Sequence, residues 1–244
     1  MKREKKNASE IRKGAPSPAA RPPREFPPSG DPALHHSSTP PLPSSLRPAV
    51  FLDRDGTLNE MVYDETHGLM DSHRRPEQVV LIAGAAEFMR QARAMGYQLV
   101  VVTNQPGVAK GTLTVPELEA VNRRLAELLA AAGASWDALY FCPHHPQGRP
   151  GADPAFVMEC DCRKPKPGML LRAAAERQLD LAGSWMVGDG LNDVEAGKRA
   201  GCRTILVTGL KPEQLERYLG LNPGTTDAIV SRLVSAAELV ARAG

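Results

Sequence analysis

Five short apolar runs, each set off from the next by intervening helical segments, constrain the fold more than any other feature of this chain. Ala49-Val50-Phe51-Leu52, Tyr97 to Val102, Ala138 to Phe141, Ser184 to Val187 and Thr204 to Val207 read as buried strands, with Ala228 to Val230 as an edge strand. Ala85 to Met95 reads as a helix stopped by Gly96. Thr114-Val115-Pro116-Glu117 has the Thr-x-x-Glu spacing of a capping box and opens a helix to about Ala132. Pro167 begins a helix through Gln178, a short helix ends at Ala200, and another covers Ala236 to Ala243. Strands joined by helices require right-handed crossovers, so the expected class is α/β: a doubly wound, Rossmann-type parallel sheet with helices on both faces.

Such a sheet binds ligands at the carboxyl ends of its strands, near the point where strand order reverses. Asp53, Asp55, Thr103, Asn104, Gly188 and Asp189 all fall just past the end of an expected strand. Independent segments are therefore expected to meet at one edge.

Residues 1 to 46 differ from the rest. They hold ten of the 22 prolines, and eight Lys/Arg against four Asp/Glu. A segment of that composition cannot bury enough apolar surface to offset its ordering entropy, so a disordered, basic, Pro-rich tail at 1–46 and one domain at 47–244 are expected. The basic cluster Lys2, Arg3, Lys5 and Lys6 reads more simply as an extension than as a partner-binding arm, and His35 and His36 share that tail. Subtracting the tail's +4 from the formal net charge of +2 leaves 47–244 at −2, and aromatic residues are only 5%. A nucleic-acid-binding module would need the opposite balance. No run of about 18 apolar residues occurs, and none follows the basic N-terminus, so neither a membrane span nor a secretory signal is expected. Three of four cysteines cluster between positions 142 and 162, which suits a metal site in a reducing, cytoplasmic compartment better than a disulfide framework.

The chemistry is carried by five segments. Asp53-Arg54-Asp55-Gly56-Thr57 sets two carboxylates two residues apart after a buried strand. Beside a hard cation the first can attack phosphorus, while the second protonates the leaving alkoxide and later takes a proton from water. Thr103-Asn104-Gln105-Pro106-Gly107 offers a hydroxyl and backbone N–H groups to phosphoryl oxygens. Arg163-Lys164-Pro165-Lys166-Pro167-Gly168 brings cations to a helix N-terminus, which itself favours anions. Gly188-Asp189-Gly190-Leu191-Asn192-Asp193 adds carboxylates of the kind Mg²⁺ requires. Cys142-Pro143-His144 and Cys160-Asp161-Cys162 form two ligand pairs suited to tetrahedral, structural Zn²⁺, with His145 as a competing ligand and Cys202 as a plain core residue.

Taken in order, these motifs resemble the haloacid dehalogenase superfamily of aspartate-nucleophile phosphatases. FLDRDGTLN, VVVTNQPGVAKG, CPHHPQG, CDCRKPKPGMLL and MVGD are similar to the heptose bisphosphate phosphatases within it, over about residues 48 to 208. The resemblance implies Asp53 as nucleophile, Asp55 as general acid/base, and Thr103 and Lys164 as stabilisers of the transferring phosphoryl group. It implies Asn104, Gln105, Pro106 and Arg163 at the substrate. Mg²⁺ would be held by Asp53, the Asp55 backbone carbonyl and Asp189; Zn²⁺ by Cys142, His144, Cys160 and Cys162. Gly190 departs from the Lys expected there in that family. The segment from Asn59 to Val79 is too short for a separate cap domain, so an open site is expected. The implied substrate is a small phosphorylated sugar, a heptose 1,7-bisphosphate losing its 7-phosphate, taken by a monomer; histidinol phosphate is the rival substrate.

Overall fold

The computed structural model describes residues 46–65, 68–149, 152–211, 214, 215, 217 and 225–242. The tail expected at 1–46 lies outside the described residues except for Leu46, and so does Ala243 of the last helix.

The strands are β1 (Arg47–Leu52), β2 (Val62–Asp64), β3 (Leu69–Asp71), β4 (Gln98–Asn104), β5 (Ala138–Cys142), β6 (Leu179–Gly188), β7 (Arg203–Val207) and β8 (Ala228–Val230). The helices are α1 (Ala85–Ala94), α2 (Val115–Ala131), α3 (Gly168–Arg177), α4 (Leu191–Ala200) and α5 (Ala236–Arg242). Six strands form one sheet in the order β5-β4-β1-β6-β7-β8, and every pairing in it is parallel. The chain steps outward from β1 through β4 to β5, then returns to the other side of β1 for β6, β7 and β8. Strand order therefore reverses beside β1, and the residue that leaves its carboxyl end is Asp53.

Both faces of the sheet are covered, which is why the strands read as continuous apolar runs rather than alternating ones. Val50, Leu52, Leu99 and Val101 pack with Phe88 and Met89 of α1 and Leu125 of α2. Ala49, Phe51, Val100 and Val102, one residue out of phase, pack with Leu170 and Ala173 of α3 and Ala196 of α4. Leu99 is fully buried, so Leu99→Ala would cost about 2–5 kcal/mol. Helix α2 starts as its sequence requires: Glu117 N donates to Thr114 Oγ1 at 3.3 Å, and Thr114 N donates to Glu117 Oε2 at 2.7 Å.

Two elements depart from expectation. Strand β6 begins at Leu179 rather than Ser184, because Arg47 and Pro48 pair with Leu179 and Asp180 ahead of a register shift. The segment Asp180 to Gly183 has no strand signal of its own; its partner supplies the extended geometry. Strands β2 and β3 form an antiparallel hairpin within the Asn59 to Val79 segment, where the sequence pattern places no strand, with three residues a side and thus too short for any periodicity. Tyr63, Leu69 and Met70 on it are 58%, 51% and 51% exposed, so the hairpin has no core of its own and is not a cap domain.

Candidate active site

Strand β1 is clamped between β4 and β6, and Asp53 leaves it with its backbone N–H donating to Val187 O at 3.0 Å. Asp53 Oδ1 accepts from Arg54 N at 2.6 Å and lies 2.9 Å from Lys164 Nζ. The chain then turns sharply at Gly56, whose φ is +82°. A Cβ there would lie 2.2 Å from Asp189 Oδ2, so only glycine lets the first loop approach the Gly188-Asp189 turn this closely.

Lys164 is 2% exposed, and its ammonium donates to Val102 O at 2.8 Å and to Asp193 Oδ1 at 2.5 Å as well as facing Asp53. Burial disfavours its charge, yet Asp193 and Asp53 together hold its pKa above the ordinary lysine value. One ammonium thus serves two carboxylates. Asp53 is pushed up to about 7 by burial and by Asp193, against the pull of Lys164. Burial and Asp53 raise Asp189 to about 6. Burial likewise raises Asp193, in spite of Lys164. Carboxylate oxygens of Asp53, Asp189 and Asp193 all lie within 4.8 Å of one another. Three acids crowded around one ammonium favour a further cation.

Asp55 is in the opposite state. Burial opposes its charge, but the neighbouring Arg54 guanidinium, with hydrogen bonds from Arg54 and Asn59, holds its carboxyl well below the usual carboxylate range. Oδ1 accepts from Arg54 Nε at 3.2 Å and Asn59 Nδ2 at 2.9 Å; Oδ2 accepts from Arg54 Nη2 at 2.9 Å and Gln105 Nε2 at 2.8 Å. His73 Nδ1 stands 3.8 Å from Oδ1. Arg54, Asn59, His73 and Asn122 were not singled out from sequence, since nothing in their spacing marks a residue that is buried against a neighbour's carboxylate.

Thr103 and Asn104 are the last two residues of β4, and Gly188 the last of β6, rather than lying past the strand ends as expected, because the parallel pairing with neighbouring strands runs that far. The Thr103 hydroxyl accepts from Gln105 Nε2 at 2.8 Å. Asn104 spends its amide on the backbone of Lys164, donating to its carbonyl at 2.9 Å and accepting from its N–H at 3.0 Å. That exchange ties the carboxyl end of β4 to the Arg163-Lys164 segment. Arg163 Nη1 is buried without a hydrogen-bond partner, and so is Gln105 Oε1. Gly190 has an extended backbone (φ −118°, ψ 156°) and precedes α4.

Beyond the carboxyl end of β5, Cys142, His144, Cys160 and Cys162 converge. Cys142 and Cys160 sulfurs are 3.5 Å apart, Cys160 and Cys162 sulfurs 3.3 Å, and His144 Nδ1 is 3.2 Å from Cys162 Sγ. Thiolates bound at ~2.3 Å around a tetrahedral ion stand roughly 3.8 Å apart, so the set is close to metal-binding spacing. The His145 ring nitrogen Nδ1 instead accepts from Gln147 N at 3.0 Å. Cys202 lies apart, buried among the apolar residues below the sheet.

Residues 161–236 match the family model described as HAD-hydrolase-like. The chain is 42% identical over 168 residues to the D-glycero-beta-D-manno-heptose-1,7-bisphosphate 7-phosphatase of Pasteurella multocida, covering 68% of this chain and 85% of that protein. It is also 42% identical over 166 residues to that of Escherichia coli K12, covering 68% and 81%. The solved D,D-heptose 1,7-bisphosphate phosphatase of B. bronchiseptica, complexed with magnesium and phosphate, superposes with a TM-score of 0.64 at 31% identity, over 81% of this chain and 99% of that one. With a parallel sheet, its reversal at β1 and aspartates gathered at that reversal, the chain belongs to the D-glycero-beta-D-manno-heptose-1,7-bisphosphate 7-phosphatase family of HAD-type phosphatases.

Proposed function

We propose that this enzyme hydrolyses the 7-phosphate of a D-glycero-D-manno-heptose 1,7-bisphosphate, with Asp53 as nucleophile. The observation that carries the reading is the contact of Lys164 Nζ with Asp53 Oδ1 at 2.9 Å, at the strand-order reversal of a chain so similar to those phosphatases. With Oδ1 engaged by Arg54 N and Lys164, Oδ2 is the oxygen left to attack phosphorus. The new Asp53–phosphorus bond forms as the bond to the sugar oxygen breaks; Asp55, ionised in the unliganded site, first takes a proton from a phosphate group that binds as its monoanion and then gives that proton to the sugar oxygen. Asp55 then takes a proton from water as the water oxygen attacks phosphorus, releasing phosphate and regenerating Asp53. All four donors now on Asp55 occupy its lone pairs, so one must yield to the leaving oxygen. Gln105, which divides one amide between Asp55 and Thr103, is the donor on the substrate side.

Thr103 and Lys164 stabilise the transferring phosphoryl group; Asn104, through Lys164, Gln105, Pro106 and Arg163 shape the substrate side. The crowded acids fit a divalent ion: the Asp53 and Asp189 carboxylates and the Asp55 carbonyl would hold Mg²⁺, which when bound neutralises phosphoryl oxygens. The three thiols and His144 fit Zn²⁺ as a structural ion that fastens the loop between β5 and α3. No cap domain occurs among the described residues, and a site left open in this way suits a substrate with bulk beyond the scissile phosphate. A monomeric domain at 47–244, carrying 1–46 as a tail with no nucleic-acid or membrane partner, completes the proposal.

The test is phosphate release from heptose 1,7-bisphosphate and histidinol phosphate side by side, with wild type and Asp53→Asn. The expected result is preference for the bisphosphate and loss of turnover in the variant. An Asp53→Asn enzyme as active as wild type would overturn the mechanism. Preference for histidinol phosphate would overturn the substrate and leave the mechanism standing.

A further inference from the structure

We infer that Asn122, on α2 and outside the active site, is a positioning residue for Asp55, acting through the guanidinium of Arg54; this rests on the reading of Asp55 as acid/base. Arg54 is 0% exposed, so its charge is walled off from any substrate. All three of its arms are spent. Nε and Nη2 grip the two oxygens of Asp55 at 3.2 and 2.9 Å, and Nη1 donates to Asn122 Oδ1 at 2.7 Å. A planar fork on both oxygens fixes the plane of the carboxylate, but only as well as the fork itself is fixed. Arg54 hangs on a long, flexible stem, and Asn122 Oδ1 is the acceptor that pins its far arm.

The anchor is rigid. Asn122 lies in the second turn of α2, beside Val121 and one turn before Leu125, both in the apolar core. A buried charge with a buried amide is a weak device for stability, because apolar side chains of the same volume would serve as well. The arrangement makes sense as a brace that transmits the position of α2 to the carboxylate. Asn59 and Gln105 hold Asp55 from other directions, each by one bond.

Proton donation matters most when the leaving oxygen is strongly basic, which separates positioning from general damage. The experiment measures kcat and KM on an alkyl phosphate, the sugar bisphosphate, and on p-nitrophenyl phosphate, whose leaving group needs little protonation. Asn122→Leu removes the acceptor, whereas Asn122→Asp keeps an oxygen for Nη1. The expected result for Asn122→Leu is a fall in kcat of about tenfold on the sugar phosphate, with KM and the aryl phosphate rate within about twofold of wild type. Asn122→Asp should stay within about twofold on both. Should Asn122→Leu not fold, Asn122→Ala, which also lacks the acceptor, is read in the same way. Equal losses on both substrates, or none on either, would overturn the positioning role. Asp55→Asn is the reference: if it shows no dependence on leaving group, the acid/base reading fails and takes this proposal with it. If it does show that dependence and Asn122→Leu does not, only the role of Asn122 fails.

Discussion

The ammonium of Lys164 stands 2.5 Å from Asp193 Oδ1, and the same nitrogen lies 2.9 Å from the nucleophile candidate Asp53. Removing it leaves two buried carboxylates to face one another. Lys164→Met is expected to destabilise the fold by about 3–5 kcal/mol at pH 8, the usual cost of orphaning a buried ionic partner. It is also expected to lower kcat by about 10²-fold or more if, as proposed, that charge meets the transferring group. Thermal melts and steady-state rates check the two effects separately.

The raised pKa values of Asp53, to about 7, and Asp189, to about 6, set a pH dependence for the metal-free protein. Both groups hold protons in the folded state that an unfolded chain releases near pH 4. Folding therefore takes up protons between those values, and the contribution of these groups to stability falls as pH rises from about 4 to 7. Melting temperature after chelation should drop across that window, and saturating Mg²⁺ should reduce the drop. A metal-free protein whose melting temperature rises across it would contradict the assignment.

Gly56→Ala combines a left-handed backbone, φ +82°, with a Cβ only 2.2 Å from Asp189 Oδ2. Asp189 has to move out of reach of Asp53. The expected outcome is a weaker apparent Mg²⁺ affinity and at least a tenfold loss of activity, along with about 1–3 kcal/mol of destabilisation. Titrating activity against Mg²⁺ measures the first two; chemical denaturation gives the third.

Cys160→Ser takes one thiolate from the cluster with Cys142, His144 and Cys162. Elemental analysis of wild type purified without chelator should give about one zinc per chain, and the variant much less. The β5–α3 connection, which carries Arg163 and Lys164, should become more sensitive to protease. Wild-type protein free of zinc would end the structural-ion reading.

The alternation of apolar runs with helical segments determined that this chain forms a parallel sheet, because strands joined by helices need crossovers, and strands covered on both faces are apolar at consecutive positions, as in Tyr97 to Val102. Local spacing also located Asp53, Thr103 and Asp189 at the ends of strands, where chemistry in such a sheet collects, and Lys164 in a basic run before a helix N-terminus. The start of α2 was legible for the same local reason, its cap being written in Thr114 and Glu117. The hairpin Val62–Asp71 and the early part of β6 were not, because each takes its extended form from a partner rather than from its own pattern.

Tertiary structure decided the ionic states around the opening carboxylates. Asp53 and Asp55 are two residues apart and chemically alike, yet one is pushed up and the other held down. The difference comes from Lys164 divided between Asp53 and Asp193, against an Arg54 committed to Asp55 and braced by Asn122. Charge and hydrogen bonding act through space over a few ångströms, and those neighbours come from β1, α2, the α3 approach and α4. Sequence order carries the identities of these groups; only the fold sets their distances.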